Sequence, residues 1–337
     1  MKFGFFVLNQ WPLGDDMHAK IGEAVEQVRA AREAGFDILA TGQHYLSYPY
    51  QQPASIPYLS RLAAEAGDMA VAPLVLLLPL LQPVEVAEAM ATLDAITGGR
   101  AIMGAGLGYR EEENIAFNSP AKERLPRLVE SLELIKRLWT EPEVEFNGTY
   151  YHIPKVKLST QPIQKPHPPI WMAANADAAV KRSARQGYPW LISPHVTVTT
   201  TAGQVQLYKA TQREAGTESV TDLPMMRELF VDTDAATAFE KARPYLAPKY
   251  KAYAAWGQDD VLPGDETFDL PFEDLARDRF LIGSPDDVIT EVERYERELG
   301  VTHMLFRMQW PGMPHAETMR QLALFRDHII PHFKGRR

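Results

Sequence analysis

The chain has 337 residues, and 35 basic against 44 acidic side chains leave a formal net charge of −9 with histidine neutral. That acidic balance argues against a generic binder of nucleic acid or anionic membrane, while 45% hydrophobic and 23% charged residues exclude wholesale disorder. With no cysteine there are no disulfides, thiol nucleophiles, iron–sulfur clusters or thiolate zinc sites, and the cytoplasm is the expected compartment.

Apolar strand-like runs alternate with stretches of helical periodicity almost end to end, the pattern of βα units that build a parallel sheet. The first run, residues 3–8, reads as a buried strand rather than a signal-peptide core. Further strands are expected at 37–40, 71–78, 101–105, 170–174, 190–192, 225–230 and 303–308, which makes eight. Helices are expected near 19–33, 58–66, 84–96, 124–139, 177–185, 202–214, 235–253, 285–299 and 315–330, one more than the strands. The longest apolar stretch, about 69–81, is too short and too interrupted by proline to cross a bilayer.

Two of these helices have mechanisms behind them. Leu125, Leu128, Leu132, Ile135 and Trp139 repeat on one helical face, which should pack on the sheet. Ser284-Pro285-Asp286-Asp287 supplies an N-cap, a proline at the first helical position and a carboxylate three residues after the cap, and Gly300 sits where the helix should stop. Two stretches break the rhythm. Residues 143–153 contain Asn147-Gly148 between apolar runs, a tight-hairpin signal. Residues 256–279 combine Gly257, Pro263, Gly264 and Pro271 with many acids, and are expected to form a long loop, mobile as a lid. No linker divides the chain, so a single domain is expected.

Gly104-Ala105-Gly106-Leu107-Gly108 follows a strand, but the third glycine of a dinucleotide fingerprint would fall on Tyr109, so that reading fails. Small residues at a strand's carboxyl end instead let backbone at Ala105 approach a flat ligand, and in an eight-stranded barrel that end is the active-site face. A tight turn without a ligand is the alternative. Gln43-His44-Tyr45 follows the second strand, so His44 should point into the barrel mouth, suited to acid–base work or, alternatively, to a structural role. Leu8, Tyr45, Leu107 and Trp310, near the ends of barrel strands, are expected to line a substrate pocket. Lys122, Arg124 and Arg127 open the fourth helix, where guanidinium and backbone N–H groups could hold a phosphate. No two-histidine helical spacing and no carboxylate loop supports a metal site.

The order of these motifs resembles the luciferase-like flavin-dependent monooxygenases over nearly the whole length. The resemblance rests on Ala34-Gly35-Phe36-Asp37 running into Gln43-His44, on Leu76-Leu77-Leu78-Pro79 with Gln82-Pro83-Val84, and on Asp94-Ala95-Ile96-Thr97-Gly98-Gly99-Arg100. Phe117, Arg124, Asn147-Gly148, Pro168-Pro169-Ile170-Trp171, Gly283-Ser284-Pro285 and Pro311-Gly312-Met313 follow in family order. It implies a (β/α)8 TIM-type barrel with insertions, and non-covalent reduced FMN supplied by a separate reductase. Reaction with O2 through a C4a-peroxyflavin would then oxygenate a small organic substrate. By the same resemblance His44 is the active-site histidine, and Arg124 and the Ala174-Asn175-Ala176 loop hold the phosphate. Gln43 and Ser193 lie beside the flavin. Gln43 stands where many relatives have glutamate, Tyr45 replaces a second histidine and Leu107 an arginine. A homo-oligomer is expected. The alternatives are an F420-dependent hydride-transfer enzyme on the same barrel and a non-catalytic flavin-binding relative.

Overall fold

The computed structural model describes residues 1–335. Eight parallel strands form its centre: β1 (Lys2–Phe6), β2 (Ile38–Thr41), β3 (Ala70–Pro73), β4 (Met103–Gly106), β5 (Ile170–Ala173), β6 (Trp190–Leu191), β7 (Pro224–Val231) and β8 (His303–Arg307). Regular ladders join β7–β8–β1–β2–β3 and β4–β5–β6, with Phe5 opposite Leu39, Trp171 opposite Gly104 and Met226 opposite Leu305. Two parallel bridges close the gaps. Val71 N donates to Arg100 O at 3.0 Å and Val71 O accepts from Ile102 N at 3.0 Å; Ile192 pairs likewise with Met225. The ladders and bridges together close a ring of eight strands, the barrel expected from the βα rhythm.

Alternation along the strands sorts side chains into two layers. Phe6, Ile38, Ala40, Ala72, Leu74, Trp171, Leu191, Met226 and Leu305 fill the barrel, whereas Phe3, Leu39, Val71, Met103, Ala105 and Met172 belong to the core between barrel and helices. Gly104 is an inward position where the walls come very close: a Cβ there would lie 2.6 Å from Pro73 O and 2.7 Å from a Leu74 methyl. Only glycine fits that approach.

Helices Asp177–Arg185 and Pro285–Leu299 match their expected limits. The second has the reciprocal cap, Asp287 N donating to Ser284 Oγ and Ser284 N to Asp287 Oδ2 at 2.9 Å, and ends on Gly300 at φ 74°. In helix Arg124–Thr140, Leu128, Leu132, Ile135 and Trp139 are buried, but Leu125 stays half-exposed beside the barrel mouth instead of packing. The run expected as one strand over 71–78 is split. β3 ends at Pro73, the chain turns through a cis Leu74–Val75 bond, and Leu76–Leu77 pairs afresh with Ala105 and Gly106. The last helix, expected over 315–330, is regular only through His315–Leu324 and passes into a π-turn at Phe325–Ile329.

The hairpin joins Val144–Asn147 to His152–Val156 through a four-residue loop rather than a two-residue Asn-Gly turn. Its shape comes from Glu130, whose carboxylate accepts the N–H groups of Thr149, Tyr150 and Tyr151 at 2.7–2.9 Å. Residues 256–279 are not a free loop. They contain a 3-10 turn, Asp259–Val261, and a short helix, Phe272–Ala276, and they bury Phe268, Phe272 and Leu275 against the helix Ala235–Ala255. Glu266 pairs with Arg279 at 2.6 Å and accepts from Thr197 N at 2.9 Å, pinning the segment to the end of β6. A strand unsuspected from sequence, Leu281–Gly283, then pairs with the outer end of β7.

Candidate active site

A cavity of about 430 Å³ opens at the carboxyl ends of the barrel strands, the size of a small-molecule site. Its walls come from the loops after β1, β2, β4, β5 and β6, from Phe6, Met226 and Arg307 below, and from Gln258 and Val261 of the 256–279 segment. Leu74, Val75, Leu77, Ala173 and Leu191 make one side apolar.

His44 lies on this wall because Gln43 shapes the turn after β2: the Gln43 amide donates to His44 O at 2.8 Å and accepts from Ser55 N at 2.6 Å. His44 Nδ1 is 3.2 Å from Glu113 Oε1, which also accepts the Tyr45 N–H at 2.8 Å. Glu113 is 1% exposed and belongs to the short helix Glu111–Ala116 that follows β4. Arg110 stands 3.6 Å from that carboxylate, donates to Tyr45 O and Leu46 O, and lies 4.5 Å over the Trp256 ring. With Nδ1–H directed to Glu113, the Nε2 of His44 is left as the acceptor.

A second histidine lines the cavity after β6. Both ring nitrogens of His195 are buried and have no hydrogen-bond partner among the described residues, and the ring packs against Tyr250, Tyr253 and Phe268. Burial, reinforced by the positive charges of Lys249, Arg307 and Arg279, holds its pKa well below the ordinary value, so His195 is a neutral hydrogen-bonding group. Behind it Glu228 forms a buried ion pair with Lys249 and accepts from Trp310 Nε1 at 2.6 Å. Burial opposes ionisation of Glu228, but Lys249 and Arg307 outweigh it and lower the carboxyl pKa. The buried hydroxyl of Tyr109 has no partner among the described residues.

At the other rim, the Ala174-Asn175-Ala176 loop leads into helix Asp177–Arg185, whose N-cap, Ala176, offers no side-chain acceptor to the first-turn N–H groups. Arg124 faces this rim and is fixed by donating to Gly108 O at 2.8 Å. Uncapped N–H groups and a guanidinium around one opening suit a phosphate. With the apolar side and the unpartnered polar atoms of Tyr109 and His195, the donor set fits a flat, phosphate-bearing flavin or deazaflavin. Among the described residues no group of three or more His, Asp or Glu is placed to hold a metal ion.

The structure brings His44, Gln43, Arg124, Ala174, Asn175, Ala176, Ser193 and Leu107 to one cavity. It does not bring the other four expected residues there. Ala105 points outward, because the alternation of β4 turns Gly104 and Gly106 to the interior. Leu8 packs under the helices, its carbonyl accepting from Tyr58 Oη at 2.9 Å. Tyr45 turns away to pack against Phe117, at 4.5 Å between centroids with the rings tilted by 51°. Trp310 is fully buried against Phe230 and Glu228. Sequence reasoning missed Glu113, His195, Tyr253 and Arg307. Only Glu113 had a signal, the acidic run Glu111-Glu112-Glu113 just after the glycine-rich strand end.

The model of the luciferase-like monooxygenase family matches residues 1–303, and the chain belongs to that family. Among solved structures, the monooxygenase RslO1 from Streptomyces bottropensis superposes with a TM-score of 0.87 at 24% identity, over 99% of this chain and 100% of that one. An F420-dependent secondary alcohol dehydrogenase bound to an F420–acetone adduct gives 0.77 at 18% identity, over 97% and 98%. These two likenesses speak to the fold. In sequence, the chain is 28% identical over 333 residues to the F420-dependent glucose-6-phosphate dehydrogenase of Nakamurella multipartita, covering 93% of each chain. Further relatives at 27% and 25% identity carry the same name. This finding overturns the expected FMN monooxygenase, because relatives matched over nearly their full length are named F420-dependent glucose-6-phosphate dehydrogenases.

Proposed function

We propose that the protein is an F420-dependent oxidoreductase that transfers a hydride between an alcohol carbon and the deazaflavin. The observation that carries the reading is a histidine backed by a buried carboxylate at an apolar slot, in a chain whose full-length relatives are named F420-dependent dehydrogenases. Bound F420 supplies a ring that accepts a hydride, and such a reaction requires neither O2 nor a separate flavin reductase. Leu74, Val75, Ala173 and Leu191 would receive the ring, and Arg124 with the N–H groups after Ala176 would hold the phosphate.

The chain's own chemistry is the handling of one proton. An alcohol that loses hydride from carbon must also lose its hydroxyl proton to become a carbonyl. His44 Nε2 is the acceptor available for that proton, and Glu113 at Nδ1 fixes the tautomer and stabilises the imidazolium that results. Arg110 and the Tyr45 N–H hold Glu113 in turn, while Trp256 packs beside the His44 ring, which keeps only 18% of its side chain accessible.

Parallel equilibrium titrations with F420 and FMN, followed by assays for bleaching of oxidised F420 with simple secondary alcohols, hydroxy acids and glucose 6-phosphate, test the reading. The expected result is tighter binding of F420 and alcohol-dependent bleaching. Binding of FMN with no measurable F420 binding would overturn it.

A further inference from the structure

Arg307 ends β8 and lies at the bottom of the cavity, its guanidinium 4.5 Å over the Phe6 ring. Its one hydrogen bond among the described residues is long, 3.5 Å to the Tyr253 hydroxyl. Glu228 is 3.7 Å away, but that carboxylate is already engaged by Lys249 and Trp310. The remaining N–H donors have no partner among the described residues, and 13% of the side chain stays open, on the cavity side. A guanidinium carries five donors, and here most of them are offered to the cavity rather than to the protein. The neutral His195, also unpartnered, shares the Tyr253 ring with Arg307.

We propose that Arg307, with His195 beside it, receives a carboxylate of the substrate, so that the alcohol oxidised is a hydroxy acid. One planar guanidinium matches one planar monoanion by a pair of parallel hydrogen bonds. A phosphate dianion calls for a second cation, which this end of the cavity does not offer: Lys249 lies behind the wall on Glu228, and Arg124 is at the opposite rim on Gly108 O. The hydroxy-acid assignment rests on the F420 reading; the carboxylate site does not. In the reaction the carbinol carbon gives its hydride to F420 and the hydroxyl proton goes to His44, leaving an oxo acid.

Benzoate and its neutral counterpart benzamide serve as probes, titrated into the protein with and without F420. Wild type should bind benzoate about ten- to a hundredfold tighter than benzamide, and Arg307→Gln should bring the two within about twofold while F420 affinity holds. Arg307→Lys, which keeps the charge and loses the fork, should retain only part of the preference, and it carries the test if circular dichroism shows the glutamine variant unfolded. Equal binding in wild type overturns the proposal, as does a preference that is undiminished in the variants. So does Arg307-dependent binding of inorganic phosphate or glucose 6-phosphate without binding of benzoate, and so does a glutamine variant whose main loss is F420 affinity. Failure of wild type to bind F420 would strike only the cofactor reading, since the benzoate preference is also read without it.

Discussion

His44 and His195 face the same cavity from loops four strands apart in a ring of eight, one after β2 and the other after β6. Their surroundings give the same side chain two kinds of work. His44 keeps 18% of its side chain accessible and has a carboxylate on one nitrogen, which leaves the other as a free acceptor turned to the cavity. His195 has buried nitrogens among Lys249, Arg307 and Arg279, so a proton there meets like charge in low dielectric. Under the proposed function, charge placement behind each ring would divide the mouth into a proton-handling wall and a wall that only donates and accepts hydrogen bonds.

The most direct attempt to break that division is His44→Ala. Turnover should fall about 10²–10⁴-fold with F420 affinity unchanged, the usual worth of positioned acid–base catalysis. His195→Gln, by contrast, should leave the pH dependence of kcat in place. Full activity in the His44 variant would make the His44 wall structural. Glu113→Gln sharpens the point, because it leaves His44 present and removes the group that fixes its tautomer; kcat should drop about tenfold or more with an altered pH profile.

The wall behind His195 is tested through stability. Glu228→Gln removes the single carboxylate that Lys249 and Arg307 share, leaving two cations buried with an amide. Breaking a buried pair in this way costs about 3–5 kcal/mol, so urea midpoints should fall accordingly. A loss within the error of the unfolding curves would mean that Lys249 sheds its proton cheaply, as its pKa, lowered to about 7 by burial and by Arg307, would permit.

How far such arguments could be made from sequence alone depends on which contacts are local. The barrel was legible because hydrophobic period and cap chemistry are local: Ser284, Pro285 and Asp287 announce their helix whatever surrounds it. Arg124 drew notice for the same reason, standing at a helix start, whereas the Ala174-Asn175-Ala176 loop was expected at the rim only from the family resemblance. Direction at strand ends was not legible, because a strand's alternation fixes faces only relative to a neighbour already placed. Ala105 was expected beside the cofactor although it faces the helices, and Leu8 and Trp310 were expected in a wall that neither reaches. The partners that define the two histidines lie 69 residues from His44, and for His195 on β8, the helix Ala235–Ala255 and the 256–279 segment. No spacing in the chain reveals such meetings before the ring closes.

At the rim, Arg124→Ala should weaken F420 binding about ten- to hundredfold, since a guanidinium–phosphate contact contributes on the order of 1.5–3 kcal/mol. Calorimetry reads this directly. Unchanged affinity would remove Arg124 from the cofactor site and leave it as a brace for the Gly108 turn, whose carbonyl it already holds.

The smallest effect concerns the pH dependence of folding. In the unfolded chain His195 titrates near its ordinary value of 6.5, whereas in the fold burial and its cationic neighbours hold the pKa well below that. Below 6.5 the unfolded state therefore binds a proton that the folded state refuses, and stability falls as pH falls; above 6.5 both states are neutral and the dependence vanishes. One such proton changes stability by at most about 1.4 kcal/mol per pH unit. Carboxylates such as Glu228 and Asp278, whose pKa values the fold lowers, add their own losses at lower pH, so wild type alone does not isolate the histidine. The difference between wild type and His195→Gln does, because glutamine keeps donor and acceptor atoms and cannot titrate. Urea midpoints of the two proteins should run parallel from pH 8 to about 6.5 and converge or cross below it, with the variant holding up better. If the two curves stay parallel into the acid range, His195 takes up its proton as readily in the fold as out of it, and the contrast between the two walls fails on its deep side.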